Sequence, residues 1–330
     1  MELSRGHWDD VISKGPVWAI DSWCIACVIY ECFNGIINDP KRDLTKTAAI
    51  PKSLLPEYRR LLHNSPSGRL DPKKLLQSKF LDNPLVRSVE FLDNIALKSD
   101  DEKHAFFQSL SDRIDSFPKA CCCFRILPIL THALQHGSES NLSILMSVLK
   151  IGASLDSLEY EKLVVPCVVQ LFSSNERSTR LNMLKHLPEF LPHLSDKLVN
   201  DSIFPHVVSG FTDTLPLLRK ETVRSIHRFV PKLDKNVLNN KLLPSLYKIQ
   251  QDPDPAIRAD VIIVFGKIAM YIGEDRRSRV LFNALSRGLK DKFPPTRNAA
   301  LQAFCSTIKL FSPEQCARQV LPAIAPFAVD

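Results

Sequence analysis

Glycine is scarce, with 10 residues in 330. That scarcity suits a helical chain, because glycine's freedom is wasted inside helices. No block of about five or six like charges occurs, which argues against a charged, disordered tail. No secretory signal precedes the cysteines, and three of the nine stand side by side at Cys121, Cys122 and Cys123. Adjacent cysteines cannot easily all pair, so the expectation is reduced thiols in a cytosolic protein. Cys24-Ile25-Ala26-Cys27 has a C-x-x-C spacing, but no second pair or histidine set follows it. A zinc site needs those extra ligands, so both cysteines are expected to be small core residues. No long hydrophobic run is free of charge. The most apolar stretch, residues 17–37, could just span a bilayer, but Asp21 and Glu31 lie inside it. Charges at that depth are costly, so a buried helix is expected.

The chain does contain proline, 23 residues of it, and much of it is periodic. An apolar residue followed by proline occurs at Leu127-Pro128, Val165-Pro166, Phe204-Pro205, Leu243-Pro244 and Leu321-Pro322. The first four prolines are spaced by 38, 39 and 39 residues, and two more steps of 39 reach Asn283 and Pro322. Arginine keeps the same register at Arg180, Arg219, Arg258 and Arg297, and aspartate at Asp213, Asp252 and Asp291, with Asp330 next in line. Self-similarity at such a period is the mark of a helical solenoid.

Each unit reads as two helices. Lys241 to Ile249 carries apolar residues three and four apart, then Asp252-Pro253-Asp254-Pro255 breaks the pattern. The next segment places Ile257, Val261, Val264, Phe265, Ile268 and Ala269 on one face. Asp252 is suited to capping the turn, and proline is tolerated in a first helical turn. Proline in the first helix, aspartate in the turn and arginine in the second helix resemble the HEAT repeat. The resemblance implies that the aspartates and arginines of successive units form a ladder of hydrogen bonds rather than a ligand site.

The first part carries a second resemblance. Asp21-Ser22-Trp23-Cys24-Ile25-Ala26, then Tyr30-Glu31, is similar to the central helix of the protein-kinase C-terminal lobe, with Cys24 and Ala26 where serine and glycine are usual. Met1-Glu2-Leu3 falls where such a lobe has its A-P-E motif, and Gly68-Arg69-Leu70-Asp71-Pro72 resembles its late R-x-x-P element. The resemblance implies a buried pair between Glu2 and Arg69, of the kind that costs much when one partner is lost. It also leaves Asp21 without the loop it would hold, so that Asp21 needs backbone donors or solvent. Residues 50–63 read as a short helix with Leu54, Leu55, Tyr58, Leu61 and Leu62 inward.

A kinase would need a Gly-rich loop, a strand lysine, an H-R-D loop with its asparagine and a D-F-G aspartate. The sequence contains none of these, so neither phosphoryl transfer nor a cofactor is expected. A kinase-lobe remnant joined to HEAT repeats is similar to the SCY-like pseudokinases. The segments Phe80–Asn94, Glu102–Leu110, Phe117-Pro118 and Phe204–Asp213 read like that family's connector and central repeats. The expected organisation is an all-α chain. A partial kinase-like C-terminal lobe spans 1–78, and a HEAT-repeat α-solenoid of period 39 spans 79–330. The expectation is a curved right-handed stack with the remnant docked on its first pair, the chain being a fragment or a short gene product.

The resemblance implies a non-catalytic scaffold in vesicle traffic between Golgi and endoplasmic reticulum, with coatomer or small GTPases as partners. It implies a cytoplasmic, Golgi-associated location. Its alternative is a transfer-RNA export carrier that shuttles to the nucleus. The net charge of +7 permits RNA binding without requiring it. Arg276, Arg277, Arg279, Arg287, Lys290 and Lys292 form the one basic cluster, diluted by Glu274, Asp275 and Asp291. It reads as a solvated face or as a surface for RNA phosphates or an acidic peptide. With only Phe282 and Phe293 nearby, base stacking there looks weak. The histidines, His104, His132, His136, His186, His193, His206 and His227 among them, show no nucleophile context that would make a triad.

Overall fold

The computed structural model describes residues 15–136 and 142–327. All regular structure among them is helical, with no strand. The chain divides into two units, 1–99 and 100–330. Residues 79–99, read from sequence with the repeats, therefore group with the first unit.

The first unit is built on α1 (Ala19–Asn34) and α2 (Leu55–Leu61), with α3 (Pro84–Asp93) following. Ala26 and Tyr30 of α1 share a core with Leu44, Ile50, Leu54, Tyr58, Leu61 and Leu70. Leu55 and Leu62 pack at its edge, half-buried rather than inward. Two buried polar links close this core: Tyr58 Oη donates to the Leu44 carbonyl at 2.9 Å, and Ser22 Oγ to the Leu70 carbonyl at 2.8 Å. Such bonds make the core specific, because a buried hydroxyl left unpaired is costly. The expectation of a wholly buried first helix needs correction. Helix α1 buries one stripe and leaves Val28, Phe33 and Cys24 exposed. Cys24 is thus not a core residue. Cys27 is half-buried, and burial pushes its thiol titration up. No helix among the described residues is long and apolar enough to cross a membrane.

The second unit is a succession of helix pairs. It starts with α4 (Asp100–Arg113), α5 (Leu127–His136), α6 (Leu142–Gly152) and α7 (Ser157–Leu163). The first helices of later pairs are α8 (Val165–Phe172), α10 (Phe204–Ser209), α12 (Leu243–Ile249), α14 (Glu274–Leu289) and α16 (Leu321–Ile324). The second helices are α9 (Arg177–Lys185), α11 (Pro216–Phe229), α13 (Pro255–Ile268) and α15 (Pro294–Thr307). The second helices pack in order, α9 on α11, α11 on α13, α13 on α15. Each buries its apolar stripe between its own first helix and its neighbours, so the core repeats with the sequence. In α13, Ile257, Val261, Val264, Phe265 and Ile268 are all buried, and the Phe265 ring lies 5.5 Å from that of Tyr247 in α12.

The periodic proline leaves a mark on the backbone. A five-residue π-helical segment precedes it in four first helices: Cys122–Ile126 before Pro128, Val199–Ile203 before Pro205, Leu238–Leu242 before Pro244, and Cys316–Val320 before Pro322. Proline has no N–H for the carbonyl four residues back, and its ring crowds that carbonyl. Those carbonyls belong to Phe124, Asp201, Asn240 and Arg318, the middle of each segment. Widening the turn relieves both problems. At Pro166 the chain breaks at Val164, between α7 and α8, instead. Where Asn283 replaces the proline, α14 runs as one α-helix of 16 residues.

Candidate functional site

The kinase-like positions sort as follows. Glu2 lies outside the described residues, and so does its pairing with Arg69. Arg69 is buried; its Nη1 donates to the Ala19 carbonyl at 2.8 Å and its Nε to the His63 carbonyl at 3.1 Å. Its guanidinium also sits over the Trp23 ring, 5.2 Å from the centroid. Arg69 thus ties the start of α1 to the loop after α2. Asp21 is exposed on the first turn of α1, so water solvates it.

The repeat arginines and aspartates meet across units. Arg219 grips Asp252 with two bonds, Nε at 2.7 Å and Nη2 at 3.0 Å, and its Nη1 donates to the Asp213 carbonyl of its own unit at 2.8 Å. Arg258 repeats this one unit on, with Nε 2.7 Å and Nη2 2.9 Å from Asp291 and Nη1 2.9 Å from the Asp252 carbonyl. Arg297 Nη1 reaches the Asp291 carbonyl at 3.0 Å. The forks of Arg219 and Arg258 each meet one carboxylate edge to edge through two parallel N–H···O bonds. Each aspartate also accepts a backbone N–H two residues ahead: Leu215, Asp254 and Phe293, all within 2.9 Å.

The ladder loosens toward Arg180. That side chain stands 3.8 Å from Asp213 and donates instead to Ser209 Oγ and the His206 carbonyl, while Arg177 takes Asp213 at 3.0 Å. Hydrogen bonding from Arg258 holds the Asp291 carboxyl below its ordinary range. For Asp213, burial pushes upward, but the Leu215 N–H together with Arg177 and Arg180 outweighs it and the carboxyl ends lower. The partners in turn raise Arg219 and Arg258, through Asp252 and Asp291 respectively.

A further inter-unit clamp has no counterpart in the sequence reading. Buried Asn200 donates from Nδ2 to the Lys232 and Asp196 carbonyls and accepts the Asp234 N–H at 2.9 Å. Lys232 Nζ returns to the Leu194 carbonyl at 2.7 Å. The missed signal was Asn239, one period after Asn200. Its Oδ1 is buried without a hydrogen-bond partner among the described residues.

The basic cluster is divided. Arg277 folds back onto the Ile272 and Met270 carbonyls, and Arg276 contacts Asp275. Arg279 and Arg287 are exposed on α14, and Lys290 and Lys292 are exposed in the turn after it. Arg279, Asn283, Arg287 and Lys290 share one helical face by their spacing. Arg287 and Arg279 also lie close enough to Tyr247 to oppose the rise that burial gives its phenol.

Three comparisons bear on this architecture. Residues 160–274 match the middle domain of PIK3R4-like proteins. The whole chain is 38% identical over 329 residues to a Dictyostelium discoideum protein named probable inactive serine/threonine-protein kinase scy1. The chain is thus similar along its whole length to a SCY-like protein. It spans 40% of the length of that relative. The chain is also 42% identical over 165 residues, 49% of its length, to cytoplasmic export protein 1 of Saccharomyces cerevisiae, of which it covers 22%. A crystal structure of Cex1p superposes on it with a TM-score of 0.66 at 23% identity, covering 94% of this chain and 60% of that one. That likeness establishes a shared fold.

Proposed function

We propose that this SCY-like chain is part of a non-catalytic scaffold, cytoplasmic and Golgi-associated, acting in vesicle traffic between Golgi and endoplasmic reticulum. Its partners on this reading are proteins, coatomer or small GTPases, held along the repeat surface. The observation that supports it is the end-to-end similarity to a relative named as an inactive kinase. The reading makes the first unit a pseudokinase remnant and leaves recognition to the repeats.

The second reading is a transfer-RNA export carrier with nuclear shuttling. The similarity to cytoplasmic export protein 1 and the exposed Arg279, Arg287, Lys290 and Lys292 favour it. Affinity capture from cytosol with this chain as bait, with and without nuclease, separates the two. Coat or GTPase proteins retained after nuclease support the scaffold. Transfer RNA captured together with proteins that nuclease removes supports the carrier and sinks the scaffold. A phosphorylation assay showing turnover by this chain alone would overturn the non-catalytic reading.

A further inference from the structure

The second helices carry cations that the ladder does not use. Between α11 and α13 an open groove is lined by Glu221, Arg224, His227 and Arg228 on one side, and by Asp260, Ile263 and Lys267 on the other. Arg224 is spent within the array: its Nε donates to Asp260 of the next unit at 2.9 Å, and Glu221 lies 3.9 Å away. Arg228 and Lys267, one period apart, are exposed and have no ion-pair partner among the described residues. Two unpaired cations at equivalent positions repel each other, and nothing in the fold requires both. Their combined field reaches His227. Burial is the first cause of its lowered titration, and Lys267 and Arg228 lower it further.

The same groove has an apolar component. Ile263 and Lys267 follow one stripe of α13 by their spacing, and Met270 stands in the turn just past the helix end. Ile263 is 42% exposed and Met270 is 64% exposed. The groove thus offers two free cations about an uncovered aliphatic side chain.

We propose that this groove docks an acidic segment of a partner protein, with carboxylates on Arg228 and Lys267 and an aliphatic side chain on Ile263. The inference rests on the scaffold reading and names the chemistry of its partner. A nucleic-acid strand fits less well. No Phe, Tyr or Trp ring lines the groove for base stacking. The free cations for phosphate lie instead on α14 and the turn after it.

The test is fluorescence anisotropy on the whole chain with three probes. These are a synthetic peptide of about a dozen residues alternating glutamate and leucine, the same peptide with glutamine for glutamate, and an oligouridylate. The glutamate peptide should bind at least about tenfold more tightly than the glutamine peptide, as expected for two charge contacts in a partly desolvated groove. Arg228→Glu combined with Lys267→Glu should weaken the glutamate peptide by at least about tenfold. Arg228→Gln with Lys267→Gln should give a smaller loss and serves if the reversal variant melts early. Ile263→Ser should weaken both peptides alike, and Arg279→Glu with Arg287→Glu should leave them unchanged. Peptide binding that survives the charge reversal, or that falls with the α14 variant instead, overturns the proposal. So does displacement of the peptide by oligouridylate. Proteins captured after nuclease and indifferent to the α11–α13 reversal would sink the groove but keep the scaffold.

Discussion

The ladder makes a graded prediction, because its members are buried to different degrees. Asp252→Ala removes both bonds to Arg219 at once, and with them the acceptor for the Asp254 N–H. Arg219 is 9% exposed, so its charge stays buried with only the Asp213 and Thr214 carbonyls to satisfy it. Breaking a buried pair from one side costs about 3–5 kcal/mol; because Nη1 keeps its acceptors, the low end, about 3 kcal/mol, is expected here. Asp213→Ala removes a partner from Arg177, whose side chain is 54% exposed, and from Arg180 at 3.8 Å. Solvated pairs contribute about 0.2–1 kcal/mol, so that variant should cost no more than about 1 kcal/mol, plus a small term for the freed Leu215 N–H. Urea unfolding of the three aspartate variants should rank Asp252 above Asp291 above Asp213. Native-state hydrogen exchange should place the new opening between the units of α11 and α13. If Asp252→Ala and Asp213→Ala agree within about 0.5 kcal/mol, the ladder's energy does not follow its burial. The reasoning then fails.

Asn283→Pro should destabilise α14 by about 3 kcal/mol, because this first helix lacks the widened turn that four of the other first helices use; a loss under about 1 kcal/mol in urea would show that the turn forms on demand. Phe265→Ala empties a fully buried site and should cost about 3–5 kcal/mol, read as a drop in the urea midpoint. Asp43 sits at about 2, below its ordinary 3.8, first through Lys46 and then through the Asp39 and Asn38 N–H groups. Its folded value is depressed, so its contribution is present above pH 3.8 and disappears as pH falls through about 2. Thermal melts of Asp43→Asn should therefore lie below those of the wild type near neutral pH and converge with them near pH 2. Melts that stay apart there would assign the loss to lost geometry rather than charge.

The repeats were legible because their markers are physically tied to the period. A proline distorts the helix it enters, and an arginine must find the next unit's aspartate. What was not legible depended on depth or direction. The π segments needed knowledge of how the prolines are accommodated, by a wider turn or by a break as at Val164. In α1, apolar content alone could not tell a stripe from a full wrap, and Cys24 fell on the wet side. Among the six basic residues 276–292, sequence could not see Arg277 turn back to cap the Met270 and Ile272 carbonyls. The Asn200 clamp is not legible because a buried asparagine has no hydropathy signal, although its 39-residue spacing from Asn239 lies in the grid.

That contrast sets how charge should be interpreted on a repeat protein. A charged residue repeated in register is first a candidate for holding units together, and Arg219 and Arg258 do this through matched carboxylates. Arg228 and Lys267 share the register yet meet no carboxylate among the described residues, so periodicity does not make them structural. Partner accounting separates the two sets where sequence spacing cannot. Reversing Arg228 and Lys267 together should therefore leave the melting temperature within a few degrees of wild type, since exposed unpaired charges contribute little to folding. Reversing Arg219 should lower it sharply. If the two reversals proved equally costly, the distinction between holding and available charge would collapse, and the groove between α11 and α13 would be one more seam of the stack.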